Sequence, residues 1–553
     1  MAIDMTPWPG TDVEKYRAAG YWRGETFAGF LASRARAHGN RVALVDDRTR
    51  LTYAELDERT DHVAHGLRGL GLGSDDRVLL QLPNRAEFLL LWFALMKIGA
   101  VPVHTQPGHR RSEMVHLAQH SDAAAYVIPD LHAGFDHREL AAEVRSVSPS
   151  LKHVIVVGDP GTGTGFTPFT DLLTSAPEAG PAITSRASGG DAALLLLSGG
   201  TTGLPKLIPR THDDYLYNSR AAGEVCELTE ESVYLAALPV AFNYTMNCPG
   251  VLGALSVGGR VVLAGNPDPG YCFDLIEREG VTIAAINPQL APVWLDEAAV
   301  TDADLSTLRV LQVGSARLAD ETARKMVAEL GCVIQQVFGM AEGLLCLTRL
   351  SDPPEIITTT QGRPISPADE IKVAGPDDQE VPDGEEGELL VRGPYTLRGY
   401  YHADEHNAKS FTHDGFYRSG DRVRRRPTGH LVVVGRSKDQ INRGGEKIPA
   451  TEVEGHLLAH PAIQSAALLP APDPDLGERS VAFLVLDGGP DAVPAPDRKE
   501  LAAFLDKRGV AAFKAPDEVR ILDVMPLTPV GKMDKKVLAA QIKAERSKSG
   551  PPA

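Results

Sequence analysis

Between Phe27 and about Val262, short apolar runs rich in branched side chains alternate with longer stretches of helical character. Arg77–Leu82 (RVLLQL) is followed by Phe88–Ile98, and Val281–Ile286, Leu308–Val313 and Val333–Val337 carry the alternation further. Runs that are apolar at nearly every position read as buried strands, and repeated strand–helix units predict an α/β architecture. Near Gly387 the texture changes. GELLVRG, GFYRSGDRV and GHLVVVGR are short alternating segments broken by turns, which predicts a small β-rich subdomain over about 360–436. After Arg436 a turn with glycine and lysine, Asn442–Lys447, leads into a compact strand–helix pattern ending near Ala544. The expected division is therefore a large core, 1–436, and a small α+β domain, 437–553.

Length supports that division, because 553 residues exceed what one hydrophobic core sustains. Hydrophobic residues at 43% and charged residues at 23% suit a soluble globular enzyme. The formal net charge of −17 argues against nucleic acid as a partner. It also means that a bound nucleotide must be held by local backbone N–H groups and a few cations, not by the overall field. The five cysteines, Cys226, Cys248, Cys272, Cys332 and Cys346, form no C-x-x-C pair, so a disulfide framework or structural metal is not expected. Met1–Gly10 lacks the pattern of a secretory leader, and the most apolar stretch, Phe88–Val103, is interrupted by Lys97 and Pro102. A cytoplasmic protein with no membrane span is the expectation.

The strongest local signal is Ser198-Gly199-Gly200-Thr201-Thr202-Gly203-Leu204-Pro205-Lys206, directly after the apolar run Ala192–Leu197. A strand ending in a Gly- and Thr-rich loop turns main-chain N–H groups and hydroxyls toward phosphate oxygens, and Lys206 adds a cation. A Walker loop would need Ser or Thr directly after the lysine; here Leu207 follows, so that reading fails. Most Gly/Ser/Thr runs are plain surface loops, but nine matched positions after a strand favour a triphosphate cradle.

This segment resembles the signature loop of the adenylate-forming superfamily, which includes acyl-CoA synthetases, luciferases and peptide-synthetase adenylation domains. The resemblance spans nearly the whole chain. Further matching stretches follow in the family's order: Gln336–Glu342 (QVFGMAE), Tyr417–Asp421 (YRSGD), Gly435–Asp439 (GRSKD), Gly444-Gly445-Glu446 and Pro529–Lys532 (PVGK). It implies a large N-terminal adenylate-forming domain, with α/β sheets and a small β subdomain, and a small mobile α+β C-terminal domain. The implied chemistry is attack of a carboxylate on the α-phosphate of ATP, with pyrophosphate leaving, which brings two anions together and demands cations.

By the same resemblance, Lys532 bridges the carboxylate and the α-phosphate, and Lys206 and Glu342 join it as catalytic residues, Glu342 also as the magnesium-associated carboxylate. Without the other motifs, a lysine in a Pro/Gly loop beside Lys535 and Lys536 would read as solvated surface. The ATP site would further draw on Gly314, Ala316, Arg317, Phe338, Gly339, Met340 and Val433, with Phe338 stacking on adenine. Asp421 and Arg436 would hold the ribose. Lys438 is the implied hinge about which the C-terminal domain rotates between half-reactions, and Gly444 and Gly445 would line a thiol tunnel. ATP and Mg²⁺ are the implied cofactors, with no protein-bound organic group.

A finer resemblance, to the stand-alone aryl-acid ligases of siderophore and related pathways, rests on Pro209–Asp214 (PRTHDD), Asn243-Tyr244, Gln335–Gly343 and Gln440–Glu446. It implies an aryl pocket of Phe242, Asn243, Tyr244, Cys248, Ser315, Ala316, Val337, Gly339, Leu345 and Lys532, and a phosphopantetheinylated carrier protein as acceptor. The Asn243 amide would bond the substituent ortho to the carboxylate. Cys248 and Leu345 resemble the salicylate-type pair; Ser and Val there mark 2,3-dihydroxybenzoate types. A thiol and a larger alkyl group fill the space that a 3-hydroxyl needs and leave it without a partner. Phe242 stands where the subgroup has His, and Ser315 where a second Gly is usual. Substituted relatives (6-methylsalicylate, anthranilate, 3-hydroxypicolinate, 2,3-dihydroxybenzoate) and coenzyme A as acceptor are the alternatives.

Overall fold

The computed structural model describes residues 3–174, 187–198, 205–436, 440–443, 446–473, 476–489, 494–508, 510–528 and 531–549. The expected strand–helix units form two sheets. One has nine strands, in the order Arg363–Pro364, Leu345–Leu347, Val333–Gly339, Val310–Gly314, Ile283–Ile286, Val233–Ala236, Arg260–Leu263, Val42–Val45 and Arg50–Thr52. Its central strands pair in parallel, and its edges are antiparallel. The other has seven strands, running from Leu207–Thr211 and Ala192–Leu197 at one edge to Thr167–Pro168 at the other. The Val, Leu and Ile positions that made these runs apolar throughout are buried because helices pack over the strands.

The β-rich segment is a four-stranded antiparallel sheet, Glu370–Ala374, Glu386–Arg392, Tyr417–Arg425 and Leu431–Arg436. Beyond it, a five-stranded sheet with the helices Ala450–Leu457, Arg498–Lys507 and Lys535–Ser549 builds separate apolar clusters around Ile448 and Phe483. The molecule is thus a mixed α/β protein with a large N-terminal and a small C-terminal domain.

The most apolar stretch divides into a helix, Ala86–Ile98, and a strand, Val101–His104. The helix is buried around its whole circumference, and its Lys97 ammonium lies 2.6 Å from Asp57 and 2.7 Å from Asp61. Two carboxylates offset the cost of burying that charge. Among the described residues, no helix is long and apolar enough to cross a membrane.

Candidate active site

The strand Ala192–Leu197 delivers Ser198, and the antiparallel strand Leu207–Thr211 receives the chain after Lys206. Two hydrogen bonds close the base of the loop between them: Ser198 N–H donates to the Lys206 carbonyl at 2.9 Å, and Lys206 N–H to Ser198 Oγ at 3.1 Å. Residues 199–204, including Gly199, Gly200, Thr201, Thr202 and Gly203, lie outside the described residues. Lys206 Nζ sits 5.0 Å from the centre of the Tyr400 ring. The Tyr400 hydroxyl donates to Glu342 Oε1 at 2.8 Å and lies 2.8 Å from the Tyr417 hydroxyl. Burial and the Glu342 charge push the Tyr400 phenol upward, so it stays a donor. A cation, an aromatic face and a carboxylate thereby meet beside the base of the loop.

On the small sheet, Asp421 and Arg436 are register partners, and Arg436 Nε donates to the buried Asp421 carboxylate at 2.9 Å. Val433, three residues before Arg436 on the same strand, is fixed by its N–H donating to Gln361 Oε1 at 2.8 Å. Lys532 reaches this group from the C-terminal domain. Its loop is tied by Lys532 N–H to Thr528 Oγ1 at 3.1 Å and anchored across the domains by Asn287 Nδ2 donating to the Gly531 carbonyl at 3.1 Å. Gly531 has φ +71°, and a Cβ there would come within 2.4 Å of Asn287 Nδ2, so glycine is required on both counts. Burial, with the Arg436 cation, lowers the Lys532 pKa to about 8, opposed by Asp421 and Glu342. The half-buried lysine therefore lies within electrostatic reach of all three groups.

Lys532 Nζ also stands 5.3 Å from the centre of the ring of Phe242, one of the residues expected to line the aryl pocket. Tyr244, Cys248, Val337 and Leu345 share one buried cluster, with Phe242, Phe338 and Met340 packed against it. The glycines record how closely the walls approach. A Cβ on Gly314 would fall 2.8 Å from Val337 Cβ and 3.0 Å from Tyr244 Cζ, and one on Gly339 would fall 3.0 Å from Leu345 Cδ1. After Gly314 the chain turns through Ser315 at φ +71°, the left-handed region that disfavours a side chain. The buried Ser315 Oγ has no hydrogen-bond partner among the described residues. Ala316 is exposed, and Arg317 pairs with Asp320 at 3.1 Å. Cys248 is buried, with its thiol pushed up to about 12 by burial, which suits a wall residue and not a nucleophile.

The AMP-binding enzyme profile matches residues 31–401, and the AMP-binding enzyme C-terminal domain matches residues 452–532. The chain belongs to the AMP-binding enzyme family. It is 52% identical over 542 residues to the 2,3-dihydroxybenzoate-AMP ligase of Bacillus subtilis, covering 98% of each chain. It is 48% identical to the salicyl-AMP ligase / salicyl-S-ArCP synthetase of Mycobacterium tuberculosis, covering 97% of this chain and 94% of that one. Among solved structures it superposes on the apo structure of Mycobacterium smegmatis MbtA with a TM-score of 0.75 and 47% identity, covering 97% and 98% of the two chains. This AMP-binding enzyme is an aryl-acid AMP ligase by family, and the family works with ATP and a divalent metal.

Within the AMP-binding enzyme, Lys438, Gly444 and Gly445 lie outside the described residues. Four residues that the sequence did not single out now stand at the site: Arg210, Tyr215, Asn287 and Tyr400. Arg210 is buried, pairs with Asp214 at 2.8 Å, and donates to the carbonyl of Ala341, next to Glu342, at 3.0 Å. The PRTHDD stretch carried its resemblance without revealing that role. Asn287 and Tyr400 left no local signal, because each acts on a residue distant in the chain.

Proposed function

We propose that the enzyme activates salicylate with ATP to salicyl-AMP, releasing pyrophosphate, and then passes the salicyl group to the phosphopantetheine thiol of a carrier protein. In the first step a carboxylate oxygen of the acid attacks the α-phosphorus, and the bond to pyrophosphate breaks. In the second, the thiolate attacks the acyl carbon and AMP leaves. One observation carries the reading: Lys532 Nζ stands 5.3 Å from Phe242, which precedes the Asn243–Cys248 segment that would form the aryl chamber, while Glu342, Asp421 and Arg436 act on its charge. An acid lying in the chamber and a nucleotide held by Asp421 would thus meet at one cation.

Lys532 would neutralise the charge that develops between the two anions. Lys206 and the 199–203 loop would hold the triphosphate, Gly314, Ala316, Arg317, Phe338, Gly339 and Met340 the adenine side, and Asp421, Val433 and Arg436 the ribose side. Among the described residues no cluster of His, Cys, Asp and Glu could hold a metal unaided. That fits Mg²⁺, which needs only one or two carboxylates when it arrives with phosphates, and Glu342 would hold it. The ion would supply charge screening of the triphosphate. The division 1–436 and 437–553, with rotation about Lys438 bringing Gly444 and Gly445 to the thiol, completes the reading of two half-reactions on one site.

Cys248 and Leu345 favour salicylate over the 2,3-dihydroxy acid, although the relative at 52% identity is named for the latter. The test is pyrophosphate exchange with salicylate, 2,3-dihydroxybenzoate, anthranilate, 6-methylsalicylate and 3-hydroxypicolinate. Salicylate should give the highest kcat/KM, and a clear preference for another acid rejects it. Transfer to free coenzyme A as efficient as transfer to a phosphopantetheinylated carrier would reject the acceptor.

A further inference from the structure

One polar group of the proposed chamber is the Asn243 amide, which can offer a substrate either an acceptor oxygen or a donor N–H. Its neighbours decide which. The Tyr215 hydroxyl donates to Asn243 Oδ1 at 2.8 Å. On the other side Asn243 Nδ2 lies 3.9 Å from Cys248 Sγ, and that thiol lies 3.7 Å from the Asn243 backbone carbonyl. These contacts agree in one direction: phenol O–H to Oδ1, amide N–H to sulfur, S–H to carbonyl. Turned over, the amide would point its oxygen at the lone pairs of a sulfur whose proton already serves the backbone.

Both flanking groups keep their protons. Burial holds the Tyr215 phenol well above its usual range and the Cys248 thiol at about 12. Tyr215 is also held in place: Asn247 Nδ2 donates to its carbonyl at 2.9 Å, and Asn218 Nδ2 donates to the Asn247 carbonyl at 2.6 Å. The Arg210 guanidinium lies 4.9 Å from the centre of its ring, where a cation draws density from the phenol and strengthens it as a donor.

We propose that Tyr215 is a positioning residue that fixes Asn243 as a hydrogen-bond donor, so that the chamber selects acids with an ortho oxygen over acids with an ortho amine. This rests on the reading of the chamber as the aryl-acid site. An ortho phenol turns its proton to its own carboxylate and leaves an oxygen lone pair outward to accept from Asn243. An ortho aniline delocalises its lone pair into the ring and meets the amide with N–H against N–H. Two donors are then buried without an acceptor, a mismatch that polar sites punish heavily.

The test is pyrophosphate exchange by the full chain with MgATP and either salicylate or anthranilate, for the wild type and Tyr215→Phe. For the wild type, kcat/KM should favour salicylate by about 100-fold or more. Tyr215→Phe releases the amide to turn, and the ratio should shrink about tenfold. A purely structural lesion would lower both acids alike and leave the ratio standing. Wild-type values within about threefold of each other, well under the effect of one mismatched hydrogen bond, would overturn the proposal. So would an unchanged ratio in a folded Tyr215→Phe, and if that variant does not fold, the wild-type ratio decides. Exchange with neither acid, nor with any other aryl acid of the panel, would overturn the aryl-acid reading itself, an outcome distinct from equal exchange with both.

Discussion

In the cluster proposed as the aryl chamber, Asn243 is tied to Tyr215 and Cys248, Tyr215 to Asn247, and Gly314 and Gly339 let their neighbours close to contact distance. The Lys532 loop meets the same chamber through the Asn287–Gly531 hydrogen bond and the Lys532–Phe242 contact. The first region is built from side chains of the large domain packed against one another, so its geometry would persist if the small domain turned as proposed. The second brings one charge from another domain through contacts that cost little to break. Recognition and charge delivery would thus rest on parts of different rigidity, as the proposed retraction of the lysine before a second half-reaction would require.

The severest way to break the contrast is to remove the delivered charge and leave the chamber whole. Lys532→Ala should lower aryl-acid-dependent pyrophosphate exchange by about 10³-fold, the size of effect seen when one transition-state charge contact is lost. ATP binding, measured by calorimetry, should stay close to the wild type, because Asp421, Arg436 and Lys206 remain. Loss of ATP binding with equal severity would assign the lysine to nucleotide capture instead.

The rigid side is broken at Arg210, which links the chamber to the Glu342 loop. The Arg210–Asp214 pair is buried, and burial holds the Asp214 carboxyl above its usual range even with the guanidinium beside it. Arg210→Met leaves that carboxylate buried without its cation and should cost about 3 kcal/mol of stability, read by denaturant unfolding. Lys532→Ala should cost almost nothing in the same assay, since its loop contributes little packing.

The buried strands were readable because runs of Val, Ile and Leu leave a clear pattern, and the Gly/Thr loop was readable because its chemistry is local. Tyr215, Arg210, Asn287 and Tyr400 were not. Arg210 meets a carbonyl 131 positions away and Asn287 one 244 positions away, so nothing near either residue announces the pairing. The position of Lys532 could be anticipated only by resemblance, since its own neighbours, Lys535 and Lys536, suggest surface. Ser315 shows the converse: the sequence flagged the missing glycine, and its left-handed backbone supplies the reason.

A smaller effect sharpens the comparison without cutting any bond. With its pKa lowered to about 8, Lys532 in the free enzyme loses its proton as pH rises through that value, well before an ordinary lysine would. If the charged form is required, kcat/KM for ATP should fall about tenfold per pH unit above that point, because this parameter reports the free enzyme. The limb in kcat should lie higher, since a bound triphosphate favours the ammonium. Lys532→Arg, which stays charged, should flatten the kcat/KM limb even at reduced rate. A limb unchanged in that variant would place the titration elsewhere.

The mildest perturbation acts on the seam between the two regions. Asn287 Nδ2 donates to Gly531 from the loop beyond the strand Ile283–Ile286, so Asn287→Ala removes a docking contact while sparing both the chamber and the lysine. One such hydrogen bond is worth about 1 kcal/mol, or roughly fivefold in the population of the docked domain. Adenylate formation should drop by no more than that factor, with KM for the aryl acid almost unchanged because the chamber keeps its walls. The thiol-transfer half-reaction, started from preformed aryl-adenylate, should be as fast as the wild type or faster, since it benefits when the lysine loop lets go. Equal loss in both half-reactions would mean that the Asn287 contact supports the fold of the lysine loop and does not set the balance between two domain positions.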